Sequence, residues 1–195
     1  VAVLSREEFD AIEFDAVRSG DHALAAERMN QLAATATETA GMPRAEAFLR
    51  AGEQYLMADD PAAAAGGFRR AMADGGPVFV DPRVPLARAL FQLGRDAEAQ
   101  ALIGRLQAEG PTDPRVCDLV AELLVDRSDL RGALTWATTG VELCLRRTQD
   151  SPSPDGDGAA GDADSELRLL LSMRYRIRND LGLPEDSYDE LLDEA

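Results

Sequence analysis

Apolar residues along this chain follow a helical period within each segment and a second, longer period between segments. An alanine is followed four residues later by a side chain able to fill a core at Ala25/Met29, Ala64/Phe68, Ala99/Ile103 and Ala133/Ala137. The last three alanines are 35 and 34 residues apart. Spacings of three and four gather apolar side chains on one helix face. A recurrence of that length means that one two-helix unit is copied and stacked, each copy burying its apolar face against its neighbours.

The second unit is the clearest: Phe48, Ala51, Gly52, Tyr55, then Ala64, Phe68 and Ala71, with Pro77 just beyond. The third supplies Leu86, Ala87, Leu90, Ala99, Ile103 and Leu106, then Pro111, and the fourth Cys117, Val120, Ala121, Leu124, Ala133 and Ala137. The first is the weakest, with Phe9, Ile12, Glu13, Ala16, Ala25, Met29 and Leu32; Glu13, where a small residue is expected, fits a terminal unit with one solvent-facing side. Small residues such as Gly52, Ala64, Ala87, Ala99, Ala121 and Ala133 mark the places where paired helices cross and backbones approach. Asp60-Pro61 and Asp113-Pro114 put a capping carboxylate before a proline at the first helical position. Asp21, Asp96 and Asp129 mark equivalent starts, whereas the helix after Asp81-Pro82 is expected to begin later because Pro85 follows so soon.

Two stretches interrupt the pattern. The spacing between the first two units is 39 residues, and TETAGMPRAE supplies Gly41 and Pro43 for a longer connection. Residues 148–165, TQDSPSPDGDGAAGDADS, have no apolar period and are read as an acidic flexible loop that protease should cut first within Ser151 to Asp164. Leu167, Leu170, Met173, Ile177 and Leu181 then return at helical spacing, as a helix closing the open end of the stack until Gly182 and Pro184 stop it. The tail EDSYDELLDEA is a short acidic amphipathic segment, either docked or free.

The second unit in particular resembles the tetratricopeptide repeat, whose pattern is W-x2-L-G-x2-Y, A-x3-F and a late Pro. That resemblance implies an all-α fold, a right-handed superhelix of about four helix pairs. Residues 1–147 would form the repeat domain, 148–165 the loop, and 166–195 the capping helix and acidic tail. It also implies protein binding in a concave groove lined by the first helix of each unit. Carried over residue by residue, the groove positions include Phe14 and Arg18 in the first unit and Leu49, Glu53, Leu56 and Met57 in the second. The third contributes Arg88, Phe91 and Gln92, and the last Asp118, Glu122 and Val125.

Composition narrows the partner. The formal net charge is −16, and such a surface repels phosphate backbones and anionic headgroups, so nucleic acid and membranes are not expected partners. The charges at the groove positions are mostly acidic, and the basic clamp with which family members hold a C-terminal carboxylate is missing. The expected ligand is therefore a basic or amphipathic segment of another protein, bound by a non-catalytic adaptor; the alternative is a regulatory sensor of a small peptide or metabolite. All 20 basic residues are arginine, which excludes lysine chemistry and suggests a bacterial gene of high G+C content. The N-terminus lacks a leader pattern and no long apolar run occurs, so a cytoplasmic protein is expected.

No cofactor or catalytic residue is expected. His22 reads as a surface residue, and Cys117 and Cys144 as buried, reduced thiols. Zinc fails on ligand count. Asp155, Asp157 and Glu166 match part of a calcium loop, but Ala159 and Ala160 occupy the next required positions, so no metal is expected. Oligomeric state is left open by the sequence.

Overall fold

The computed structural model describes residues 3–150 and 159–194. It is all-α, 78% helical over the described residues, with helices packed in consecutive pairs. The chain divides into two compact units, residues 1–105 and 106–195.

The first unit opens with strand β1 (Val3–Ser5) and helices α1 (Arg6–Ser19) and α2 (His22–Thr35), followed by strand β2 (Glu38–Ala40). It continues with α3 (Arg44–Met57), α4 (Pro61–Asp74), α5 (Arg83–Gln92) and α6 (Asp96–Glu109), the last running across the boundary. Helix starts follow local chemistry. Oγ of Ser5 accepts from the Glu8 N–H, Oδ1 of Asp21 from Leu24, and Oδ1 of Asp60 from Ala63, ahead of Pro61. Gly20 and Gly75 end α1 and α4 at φ +78° and +71°, the left-handed turn that glycine takes without a Cβ clash.

The residues expected at the crossings are buried, and the closest approach is between α3 and α4. A Cβ on Gly52 would lie 2.5 Å from the Phe68 ring, and one on Gly67 3.2 Å from the Gly52 Cα. Two expectations change. Part of the long connection is β2, paired parallel with β1 in the register Val3↔Glu38 to Ser5↔Ala40, over buried Leu4 and Met42. A strand this short carries too few residues for its period to show. The helix after Asp81 begins at once, at Arg83. Pro85 falls in its first turn, where a missing N–H leaves no intrahelical bond unmade.

The second unit holds α7 (Pro114–Asp126), α8 (Leu130–Asp150), α9 (Ala159–Asp180) and α10 (Ser187–Glu194). Each packs on the next. Helix takes up both ends of the stretch read as a loop: α8 runs through Asp150 and α9 starts at Ala159, an alanine-rich start that favours helix. The intervening residues 151–158, with most of the expected cleavage region, lie outside the described residues.

Leu170, Met173 and Ile177 of α9 are buried, as their spacing suggests. Gly140 of α8 leaves the room: a Cβ there would meet Leu170 at 2.8 Å and Cys117 at 3.0 Å. The acidic tail docks. Tyr188, Leu191 and Leu192 of α10 pack against Val141, Cys144, Leu170 and Leu171. Arg174 and Arg178 of α9 each pair with both Asp186 and Asp189, and Arg174 lies 4.8 Å from the Tyr188 ring centroid. The turn at Gly182, φ +66°, brings the second short helix within reach of those two arginines.

Candidate functional site

Helices α1 and α3 of the first unit both pack on α2, and an arginine of α3 reaches across to α1. Nε of Arg50 donates to Oε1 of Glu13 at 2.7 Å, its Nη2 donates to Oε2 of the same carboxylate, and Nη2 also reaches Oδ1 of Asp10 at 2.8 Å. Glu13 is thus held between helices rather than turned to solvent, because an ion pair to the next unit offsets the cost of shielding its charge. Those paired carboxylates hold the Arg50 guanidinium firmly protonated.

One turn along α3 from Arg50 is Glu53, half-buried, with no hydrogen bond or ion pair among the described residues. Burial first, then the neighbouring charges of Glu46 and Glu13, push it up to about 7, against a smaller opposing pull from Arg50. Glu46 accepts the N–H of Phe79 at 2.8 Å, which ties the connection before α5 to this face. Asp10 and Glu13 thus bind the Arg50 guanidinium, while Glu46 and Glu53 add two further carboxylates to the α3 side of this face. Beside them Phe14 and Val17 of α1 and Met57 of α3 are exposed, at 69%, 74% and 60%.

The remaining expected groove residues divide. Arg18 is exposed and paired with Asp15, and Gln92 is exposed. Leu56 and Arg88 are half-buried. Leu49 and Phe91 do not present a surface: they are 1% and 8% exposed. Helix α3 is an inner helix packed by α2 on one side and α4 on the other, which draws Leu49 into the core. In α5, Phe91 joins Leu90 and Ala87 among the buried residues.

Three expected positions, Asp118, Glu122 and Val125, belong to α7 in the second unit. Glu122 is exposed and Val125 half-buried. Oδ1 of Asp118 is buried without a hydrogen-bond partner, and burial, then Glu122 and Glu166, push this carboxyl up to about 6.

His22 corrects a sequence reading. It is half-buried, and its Nδ1 lies 2.9 Å from Oε1 of Gln54, a residue buried in α3 that needs a polar partner. Nothing in the spacing linked positions 22 and 54, or marked Arg50 and Gln54. Cys117 and Cys144 are buried, their thiols pushed up to about 12 and about 11, chiefly by burial. They stay protonated and unreactive near neutrality. Among the described residues no cluster of three or more His, Cys, Asp or Glu could hold a metal ion. Glu166 of the partial calcium loop is 3.8 Å from Arg147, and Asp155 and Asp157 lie outside the described residues. No helix among the described residues is long and apolar enough to cross a membrane.

Paired helices with small residues at each crossing define an α-helical repeat protein. The tetratricopeptide repeat family model matches residues 55–123, from the last turn of α3 into α7. Over that span the chain is similar to the tetratricopeptide repeat, a family whose repeats generally mediate protein–protein interaction. No curated protein matches the chain.

Proposed function

We propose that the first unit is an adaptor surface that binds a basic, amphipathic segment of another protein along α1 and α3. The observation that carries the reading is Glu53, a shielded carboxylate with no hydrogen-bond or ion-pair partner among the described residues, raised to about 7 by its burial and acidic neighbours. A guanidinium or ammonium from a ligand would supply the missing charge, since a buried carboxylate gains most from a hydrogen-bonded cation. Phe14, Val17 and Met57 would meet the apolar side of the same segment. The chain's excess acidity would speed its encounter with a cationic partner.

The test uses a fluorescein-labelled helical peptide of about 16 residues, four turns with leucine on one face and arginine on the other. Anisotropy should show saturable binding that weakens as pH falls below about 7, because protonating Glu53 removes the attraction. Glu53→Gln should weaken binding at pH 8 and abolish that pH dependence. Binding equal in wild type and variant, with no change across pH 6 to 8, would overturn the assignment. A small molecule that co-purifies in stoichiometric amount would favour the sensor instead.

A further inference from the structure

The first unit has a second feature, on the other side of α5. Leu86 and Leu90 are one turn apart on this helix, and Arg88 lies two residues from each, roughly half a turn round. Those two leucines and Leu102 of α6 form the apolar floor of a cleft of about 400 Å³ between α4, α5 and α6. Met72, 40% exposed, stands at its edge.

The rim carries charge of the uncommon sign. In a chain with 36 acidic and 20 basic residues, Arg69 and Arg105 flank this cleft; among the described residues neither forms an ion pair, and the field of Arg69 reaches Glu98 only at longer range. The one acidic residue on the rim, Glu98, is already occupied: Nε and Nη2 of Arg95 each donate to it at 2.7 Å. The cleft thus pairs an apolar floor with two uncommitted guanidiniums. Its chemistry is opposite to that of the α1/α3 face, where carboxylates outnumber cations.

We infer that the α4/α5/α6 cleft is a docking site for an acidic amphipathic helical segment of a partner protein. One large apolar side chain of the segment would fill the space above Leu86, Leu90 and Leu102 beside Met72, and carboxylates one turn to either side would engage Arg69 and Arg105, bidentately where the fork geometry allows. This inference does not depend on the basic-segment site. If both hold, one unit joins two partners of opposite charge.

The probe is a fluorescein-labelled peptide of about 16 residues with leucine on one face and glutamate on the other, added to the full chain at low salt. We expect saturable binding that Arg69→Glu and Arg105→Glu together weaken by about tenfold or more, since both attractions become repulsions. Both side chains are at the surface, so these variants retain the fold, as unchanged circular dichroism would confirm. Met72→Asp should weaken the same probe, and replacing the peptide's leucines with serine should abolish binding. No saturation up to about 1 mM, or binding unchanged by the double reversal, would each overturn the proposal, and neither bears on Glu53.

Discussion

Substituting Gly52→Ala tests the packing on which the first unit depends. In an ordinary helix this change stabilises by about 1 kcal/mol, because glycine loses more chain entropy on folding. Here the new Cβ would fall 2.5, 2.7 and 2.9 Å from three atoms of the Phe68 ring. Ordinary contact begins near 3.4 Å, so the overlap approaches 1 Å. Phe68 is fully buried, so its ring cannot swing clear without displacing α4 from α3. Overpacking of this kind costs about 1 to 3 kcal/mol, and the rigid neighbour places it toward the upper end. Net of the helix gain, Gly52→Ala should destabilise by about 2 kcal/mol. Gly104→Ala in α6 is the matched control: no atom lies within 4 Å of its Cβ position. It should stabilise by about 0.5 to 1 kcal/mol. Urea denaturation followed by far-ultraviolet circular dichroism would place the two midpoints on opposite sides of wild type. Phe68→Leu should cost less in the Gly52→Ala background than alone, since the smaller side chain relieves the overlap. If Gly52→Ala proves as stable as Gly104→Ala, the close crossing of α3 and α4 is wrong.

Glu53 contributes a pH dependence of definite sign. Its folded carboxyl titrates near 7 against an ordinary 4.5, so the folded chain binds more protons than the unfolded one between those values. Its contribution to stability therefore falls as pH rises from about 4.5 to about 7 and is level above; Glu53→Gln should be more stable than wild type at pH 8 by about 1 to 2 kcal/mol in denaturant titrations. Asp186 acts oppositely: the Arg174 hydrogen bond holds it down at about 2, so its contribution is lost as pH falls from about 4 toward 2. Arg174→Leu should leave Asp189 short of a partner inside the contact and cost about 3 kcal/mol, read as faster proteolysis of the α10 end. Ile177→Asp, which puts a carboxylate at a position 1% exposed, should expose apolar surface and promote self-association in sizing chromatography. Cys117 and Cys144 should resist a neutral thiol reagent in the folded protein and react on unfolding.

What the sequence made legible was whatever repeats. Alanine and glycine at the crossings, Asp21, Asp60, Asp113 and Asp129 before helices and the spacing of Leu170, Met173 and Ile177 are local, periodic signals, and each corresponds to a buried or capping position. What it hid depends on contacts between distant positions. Arg50 with Glu13, His22 with Gln54, and Arg174 with Asp186 each join residues whose separation follows no helical period. The β1/β2 pair was hidden by its brevity. Groove assignments by repeat position located the exposed Phe14 and Met57 but also named Leu49 and Phe91, because a positional pattern does not register how tightly inner helices are packed in this chain. Glu53 was named for its repeat position alone; its shielding by the surrounding helix faces is a tertiary effect.

The most direct test of the adaptor reading is a heteronuclear NMR titration of the labelled full chain with the arginine–leucine peptide. Amide shift changes should cluster at Asp10, Glu13 and Phe14 of α1 and at Glu46, Arg50, Glu53 and Met57 of α3, and should shrink in Glu53→Gln. Changes confined to α7 through α10, or none at peptide concentrations up to about 1 mM, would contradict it.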